Sequence, residues 1–80
     1  MNSVACMMDY RKHIVIDSAI RFGKPCVRGT RIAVCDVLGW LAAGMSKGDI
    51  VNDYPNLTEE NILACLAYSA DRERKASVIT

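Results

Sequence analysis

The sequence predicts a mostly α-helical fold, a small three-helix bundle with a helix-turn-helix, preceded by a short β-strand and a β-hairpin. Residues 44–70 contain two helix starts in succession, residues 34–43 carry an apolar stripe at helical spacing, and residues 13–17 form a short β-branched run. Two capped helices joined by a tight Pro/Asn turn are typical of a helix-turn-helix, although small helical bundles in general use the same connection.

The first helix is predicted over residues 34–43. Its apolar residues recur at the i, i+3, i+4 and i+7 positions of one face: Val34, Val37, Leu38 and Leu41. Gly44 follows and suits the left-handed conformation that ends many helices.

The second helix is predicted over residues 47–53. Ser46 can cap it, and Asp49 stands three residues further on, where its side chain can reach back to the cap. Met45 and Ile50 are placed to pack across the helix entry. Pro55 ends the helix because the residue before a proline is pushed out of the α region.

The third helix is predicted from Glu59 to about Arg72, with Thr58 as its cap. Leu57 and Ile62 can pack across its start, and two glutamates occupy its positively polarised first turn. We expect one face to point inward, and this face consists of Ile62, Leu63, Leu66 and Ala70.

The β elements are predicted before the helices. Residues 13–17 (HIVID) read as a strand, and residues 26–28 and 31–33 flank a glycine in a tight hairpin. A lone hairpin is marginal in water, so it should pair with the strand or with another chain. The predicted organisation is a flexible arm over residues 1–12, a domain over 13–76 and a tail over 77–80.

Composition and cysteine spacing narrow the class of protein. The 80 residues are 51% hydrophobic and 24% charged, as expected for one globular domain. No apolar run is long enough for a membrane span, and residues 1–10 lack the pattern of a secretory signal, so a cytoplasmic protein without a membrane role is expected. The four cysteines allow a disulfide framework arithmetically. They show no metal-ligand spacing, however, and Cys35 and Cys65 are expected to be buried apolar side chains, with no cofactor or metal.

So short a chain gains little net stability from its own core, which favours a homodimer. Exchange of the strand over residues 13–17 is one way to form it, because unpaired strand edges recruit a second copy.

The charge distribution is two-sided. Residues 1–31 contain six basic and two acidic residues, whereas residues 32–70 contain one basic and five acidic residues. The basic side chains near the hairpin are the candidate contacts to DNA phosphates: Arg21, Lys24, Arg28 and Arg31. A solvated basic hairpin is the alternative interpretation.

The start of the third helix is less suited to DNA. Asn61 is the only obvious base-reading side chain there, and Glu59 and Glu60 would face phosphates. Arg72 and Arg74 at the end of the helix are candidate contacts to a carboxylate cluster on a partner protein, or ordinary solvated residues. His13 has no nucleophile at a recognisable spacing, so no enzyme is predicted.

Three blocks of the sequence resemble a known family: GKP at residues 23–25, VRGTRI at 27–32 and YPNLT at 54–58. They resemble the domain-of-unknown-function family numbered 433. The resemblance implies a helix-turn-helix of the homeodomain or winged-helix type. It also implies a VapB-type antitoxin of a type II toxin–antitoxin system, which binds a PIN-like ribonuclease toxin and its own operator, double-stranded DNA, as a dimer. The acidic metal site of such a nuclease would give Arg72 or Arg74 a target. The alternative is a protein-interaction module that does not bind DNA and uses the helix-turn-helix only as a scaffold.

Overall fold

Three α-helices make up most of the structure, a computed structural model that describes residues 9–79, with side chains described as far as Arg74. They are α1 (Val34–Ala42), α2 (Lys47–Asp53) and α3 (Glu59–Ile79). The strands β1 (Ile14–Val15) and β2 (Cys26–Val27) precede them and pair in antiparallel fashion. The predicted mostly α-helical fold with short N-terminal β elements is confirmed.

Both predicted helix starts are capped by local hydrogen bonds. The Ser46 hydroxyl accepts from the Asp49 N–H at 3.1 Å, and the Asp49 carboxylate accepts from the Ser46 N–H at 3.0 Å. At the start of α3, Thr58 and Asn61 make the same reciprocal pair, at 3.1 and 3.0 Å. Each pair satisfies two backbone N–H groups that the helix itself leaves without a partner, which is why α2 and α3 begin where they do.

The core lies between the three helices and β2. Its largest fully buried side chains come from every one of these elements and from the turn before α3: Ile50, Leu57, Ile62, Val27, Val37, Cys26 and Cys65. The ring of Trp40 stacks on that of Tyr54, with ring centroids 4.2 Å apart, at the edge of this core. The helix-turn-helix consists of α2 and α3, and α1 packs against both as the third helix of the bundle.

The inward face of α3 differs from the prediction. Ile62 is buried as expected, but Leu63 and Leu66 are 43% and 40% exposed, and the core instead takes Ala64 and Cys65. Apolar side chains occur on opposite sides of this helix, so periodicity allowed two inward stripes. On the side that faces the core, the small side chains of Ala64 and Cys65 pack among the large buried side chains of the other elements.

The hairpin is shorter than predicted. The Val27 N–H donates to the Ile32 carbonyl at 2.9 Å, and Gly29 has a φ of +81° in the turn, which favours glycine. The second strand of the hairpin, predicted over residues 31–33, is reduced to a single bridge between Cys26 and Ala33. The strand predicted over residues 13–17 is likewise limited to Ile14–Val15, and its predicted pairing with the hairpin is confirmed.

Helical structure occurs within the segments predicted as arm and tail. Tyr10–Lys12 form a 3-10 turn, the Tyr10 ring meets the Tyr68 ring of α3 edge-on at 5.5 Å, and its hydroxyl donates to Asp71. Residues 1–8 lie outside the described residues. The backbone of α3 runs on to Ile79, through most of the predicted tail. Within the described part of the chain, no helix combines the length and the apolar character needed to cross a bilayer.

Candidate partner-binding site

A strained loop presents one aromatic side chain to solvent. Arg21, Phe22 and Gly23 have φ angles of 51°, 58° and 86°, so three consecutive residues are left-handed. This conformation costs an L-residue other than glycine about 1–2 kcal/mol. The Phe22 side chain is 101% exposed and packs on nothing that would offset this cost.

Two hydrogen bonds from Arg21 hold the loop in place. Its guanidinium Nη1 donates to the Arg31 carbonyl at 2.9 Å and to the Asp36 carboxylate at 3.1 Å. The same carboxylate accepts from the Ala33 N–H at 3.1 Å and so caps α1. Asp36 therefore ties the loop to the start of the helix.

The electrostatics of Asp36 agree with this role. Partial burial by itself would raise the pKa of the carboxyl, but the hydrogen bonds from the Ala33 N–H and from Arg21 outweigh this effect. The pKa of Asp36 is consequently lowered from its ordinary value. The carboxylate stays ionised as a fixed anchor for Arg21.

An open groove of about 710 Å³ borders the loop. It lies between residues 23–25, the outer side of α1 and the C-terminal half of α3. Its apolar lining comes from Ile16, Pro25, Val34 and Leu38. Its polar lining comes from Lys24, Cys35, Tyr68, Ser69, Arg72 and Glu73. We name this groove together with the Phe22 ring the loop–groove surface. Its lining is partly apolar, with two basic side chains and one acidic one, and suits a partner that offers apolar and carboxylate groups.

The two arginines predicted to bind a partner lie on different sides of α3. Arg72 lines the groove, where its guanidinium lies 5.6 Å from the centroid of the Tyr68 ring. Arg74 is two residues further on, does not line the groove, and pairs with Asp71 at 3.2 Å. Residues two apart on a helix point about 200° apart, so the structure separates what the sequence treated as a pair.

Asn61, the predicted base-reading residue, makes two side-chain contacts within the fold. Its side-chain oxygen accepts from the Thr58 N–H, and its amide nitrogen contacts Nδ1 of His13 at 3.1 Å. Because the oxygen is used by the N–H of Thr58, the amide NH₂ must donate to the histidine, whose Nδ1 accepts. The oxygen therefore caps the start of α3, and the nitrogen joins the helix to His13, the residue before β1.

The other predicted DNA contacts are distributed around the hairpin. Arg28 is exposed but turns back, and it donates to the Lys12 and Arg11 carbonyls at 3.1 and 3.2 Å. Arg21 is engaged in the loop, as described above. Lys24 and Arg31 are exposed. The hydrogen bonds of Arg28 bring its guanidinium to the backbone of Arg11 and Lys12.

Two features of the loop–groove surface were missed by sequence reasoning. Phe22 stands in a segment without periodicity, and nothing local predicts its left-handed backbone. Cys35 was expected to be buried but is exposed and lines the groove. It follows Val34 by one helical position, about 100° away from the buried stripe, so the spacing itself could have found this error. In the described part of the chain, no three His, Cys, Asp or Glu side chains are grouped to hold a metal ion.

Comparison with known proteins agrees with the fold. The model of the family described as "Protein of unknown function (DUF433)" matches residues 14–69. The crystal structure of a DUF433 member from Anabaena variabilis superposes with a TM-score of 0.73 and 23% sequence identity, covering 91% of this chain and 76% of the other. A search of curated proteins found no match. Because the family model spans most of the sequence, the chain belongs to the DUF433 family.

Proposed function

We propose that this chain is an antitoxin of a type II toxin–antitoxin system that acts by binding a PIN-like ribonuclease through the loop–groove surface. The family resemblance suggests the class of partner. The assignment of the binding site to this surface rests on Phe22, which is fully exposed. The proposed activity is binding, with no catalytic step.

Phe22 has the properties of a binding hot spot. Large aromatic side chains dominate the energy of protein interfaces, and here the ring has no contact within its own fold to lose. Arg21 and Asp36 keep it in a backbone conformation that the chain would not adopt unaided. A ring that is already positioned loses little conformational entropy on binding, which favours affinity.

The charges of the groove suit a partner with exposed carboxylates. Lys24 and Arg72 give it two positive charges against the single negative charge of Glu73, and an arginine can bind a carboxylate through two parallel hydrogen bonds. PIN-like nucleases hold their metal with acidic residues. Arg72, rather than Arg74, is the arginine on the groove side and is the better placed to meet such a cluster.

The test is co-purification with the candidate nuclease encoded beside this gene, followed by titration and an RNA-cleavage assay. The unaltered chain should bind and suppress cleavage. Phe22→Ala should weaken binding by roughly 30-fold, the equivalent of about 2 kcal/mol. Arg72→Ala should weaken it as well. Lys47→Ala is the matched control, because Lys47 is exposed on α2 and does not line the groove. Binding by Phe22→Ala that equals the control would refute the assignment of this surface.

A second candidate function is contact with DNA phosphates. The hydrogen bonds of Arg28 gather three basic residues, Arg11, Lys12 and Arg28, on the N-terminal side of the chain. With Asn61 engaged in the fold, such contact would be largely independent of base sequence. Operator binding would then depend on the nuclease or on a dimer for its specificity.

An electrophoretic shift assay with the upstream DNA tests this candidate. The affinity should fall steeply with salt, and Lys12→Ala should weaken binding equally on all sequences. Lys12 is the cleaner position to alter, because it is exposed and Arg28 also holds the 3-10 turn. No shift at about 50 mM salt, where phosphate contacts are strong, would leave the protein-interaction module as the better account.

A further inference from the structure

The N-terminal turn contacts α3 beyond the part of the helix that the core holds. The fully buried side chains of α3 are Ile62, Ala64 and Cys65, and none of the described side chains from Leu66 to Arg74 is buried. A helix segment without buried side chains opens more readily than one packed into a core. Contacts from other elements therefore determine how firmly this second half of α3 is held.

Tyr10 supplies two such contacts, one through its hydroxyl and one through its ring. The hydroxyl donates to the Asp71 carboxylate, and this bond raises the pKa of Tyr10, so the hydroxyl remains a donor. The ring meets the Tyr68 ring edge-on, with the ring centroids 5.5 Å apart. Tyr68 and Asp71 are three residues apart, so Tyr10 spans one turn of α3 just beyond Cys65.

The 3-10 turn is itself fixed to the β-hairpin. The Arg28 guanidinium donates to the carbonyls of Lys12 and Arg11 at 3.1 and 3.2 Å. The Arg28 N–H donates to the His13 carbonyl at 2.7 Å. Residues 10–13 thus form a bridge between the hairpin and the second half of α3.

The same part of α3 forms one side of the groove. Tyr68 and Arg72 both line it, and the Arg72 guanidinium lies 5.6 Å from the centroid of the Tyr68 ring. The guanidinium also donates to the Tyr68 hydroxyl at 3.4 Å. Tyr10 and Arg72 therefore contact the same tyrosine, although Tyr10 does not itself line the groove.

We propose that Tyr10 is a positioning residue, which holds the second half of α3 in place and thereby keeps Arg72 at the groove. The bearing of Tyr10 on partner binding rests on the function proposed above, whereas its effect on α3 does not. In a chain without these contacts, the helix opens more often beyond Cys65. Arg72 is then at the groove in a smaller fraction of molecules, and the apparent affinity for the partner falls in proportion.

Amide hydrogen exchange of the free chain, measured by NMR, tests the first step. Tyr10→Phe removes the hydroxyl bond and keeps the ring, so the amides of residues 68–74 should exchange roughly 10-fold faster in a chain that still folds. Tyr54→Phe is the matched control, because Tyr54 stacks on Trp40 and does not line the groove, and it should leave these amides unchanged. Equal exchange of residues 68–74 in the two variants overturns the proposal, whatever happens to partner binding.

Titration with the candidate nuclease tests the second step. Tyr10→Ala should weaken binding by about 3- to 10-fold, and Tyr10→Phe should weaken it less because the ring contact remains. In an Arg72→Ala chain, Tyr10→Ala should weaken binding by no more than about 2-fold further, since the side chain that it positions is already gone. An equal loss in both backgrounds overturns the proposal, because Tyr10 would then act without Arg72. Circular dichroism and urea denaturation establish that each variant folds.

Failure of this proposal and failure of the proposed function give different results. If neither Phe22→Ala nor the Tyr10 variants affect binding of the nuclease, the loop–groove surface is refuted, and amide exchange alone decides the role of Tyr10 in α3. If Phe22→Ala weakens binding and Tyr10→Ala does not, the positioning of Arg72 by Tyr10 is refuted and the loop–groove surface stands.

Discussion

Replacing Phe22 with glycine is expected to stabilise the fold and to weaken partner binding at the same time. The Phe22 side chain is 101% exposed, so its removal leaves no cavity and breaks no packing contact. Its φ of 58° is a conformation that glycine adopts readily and phenylalanine does not. Relief of backbone strain is therefore the main effect on the folded state.

The size of the effect follows from two opposing terms. Removing the side chain relieves about 1–2 kcal/mol of left-handed strain. Glycine also makes the unfolded chain more flexible, which costs about 0.4–1 kcal/mol. The net gain is about 0.5–1 kcal/mol in the free energy of unfolding, or a rise of about 2–8 °C in Tm for a domain of this size.

Thermal and urea denaturation of three proteins measure this gain. Phe22→Ala is the control, because alanine also removes the ring but keeps the Cβ atom that makes the left-handed backbone costly. Its Tm should stay close to that of the unaltered chain, while Phe22→Gly melts higher and both variants lose partner affinity. A glycine variant that melts below the unaltered chain, or no higher than the alanine variant, would show that the loop is not strained as described.

Three further outcomes are expected. Asn61→Ala should lower the free energy of unfolding by about 1–2 kcal/mol in urea titrations, since it removes a helix cap and a bond to the strand region, and it should leave any DNA-sequence preference unchanged. In a Cys6→Ser chain, a thiol reagent should modify Cys35 in the native state and reach the two buried thiols only after denaturation, because burial raises the pKa of Cys65 to about 11. The pKa of Asp36 is lowered from 3.8, so its carboxylate stabilises the fold above that pH and the stabilisation is lost as pH falls through the lowered pKa. The stability difference between the unaltered chain and Asp36→Asn should accordingly shrink as urea titrations are taken to pH values below 3.8.

The features that the sequence predicts well are those whose cause is local. Ser46 and Asp49 are three residues apart, and together with Pro55 they determine where α2 begins and ends. The predicted bounds of α2 and the start of α3 are confirmed for this reason. Gly44, with a φ of 101°, ends the first helical segment as expected.

The features that the sequence predicts poorly depend on groups far apart in the chain. Asn61 meets His13 across 48 positions, a structural contact that no local pattern around Asn61 indicates. The left-handed backbone at Phe22 depends on an arginine held by Asp36, 15 positions from Arg21. Patterns within a single turn or helix do not indicate contacts between residues so far apart. The loop–groove surface could therefore be identified only from the folded structure.

The two sides of α3 connect these observations. The core leaves two sides of the helix accessible: one continues into the groove through Arg72, and the other carries the exposed Leu63 and Leu66. Because residues two apart on a helix point in nearly opposite directions, only Arg72 of the two arginines belongs to the loop–groove surface. Charge reversal at Arg72 should therefore weaken binding of the partner protein, whereas the same reversal at Arg74 should spare it. An equal loss from both reversals would mean that the partner contacts both sides of α3.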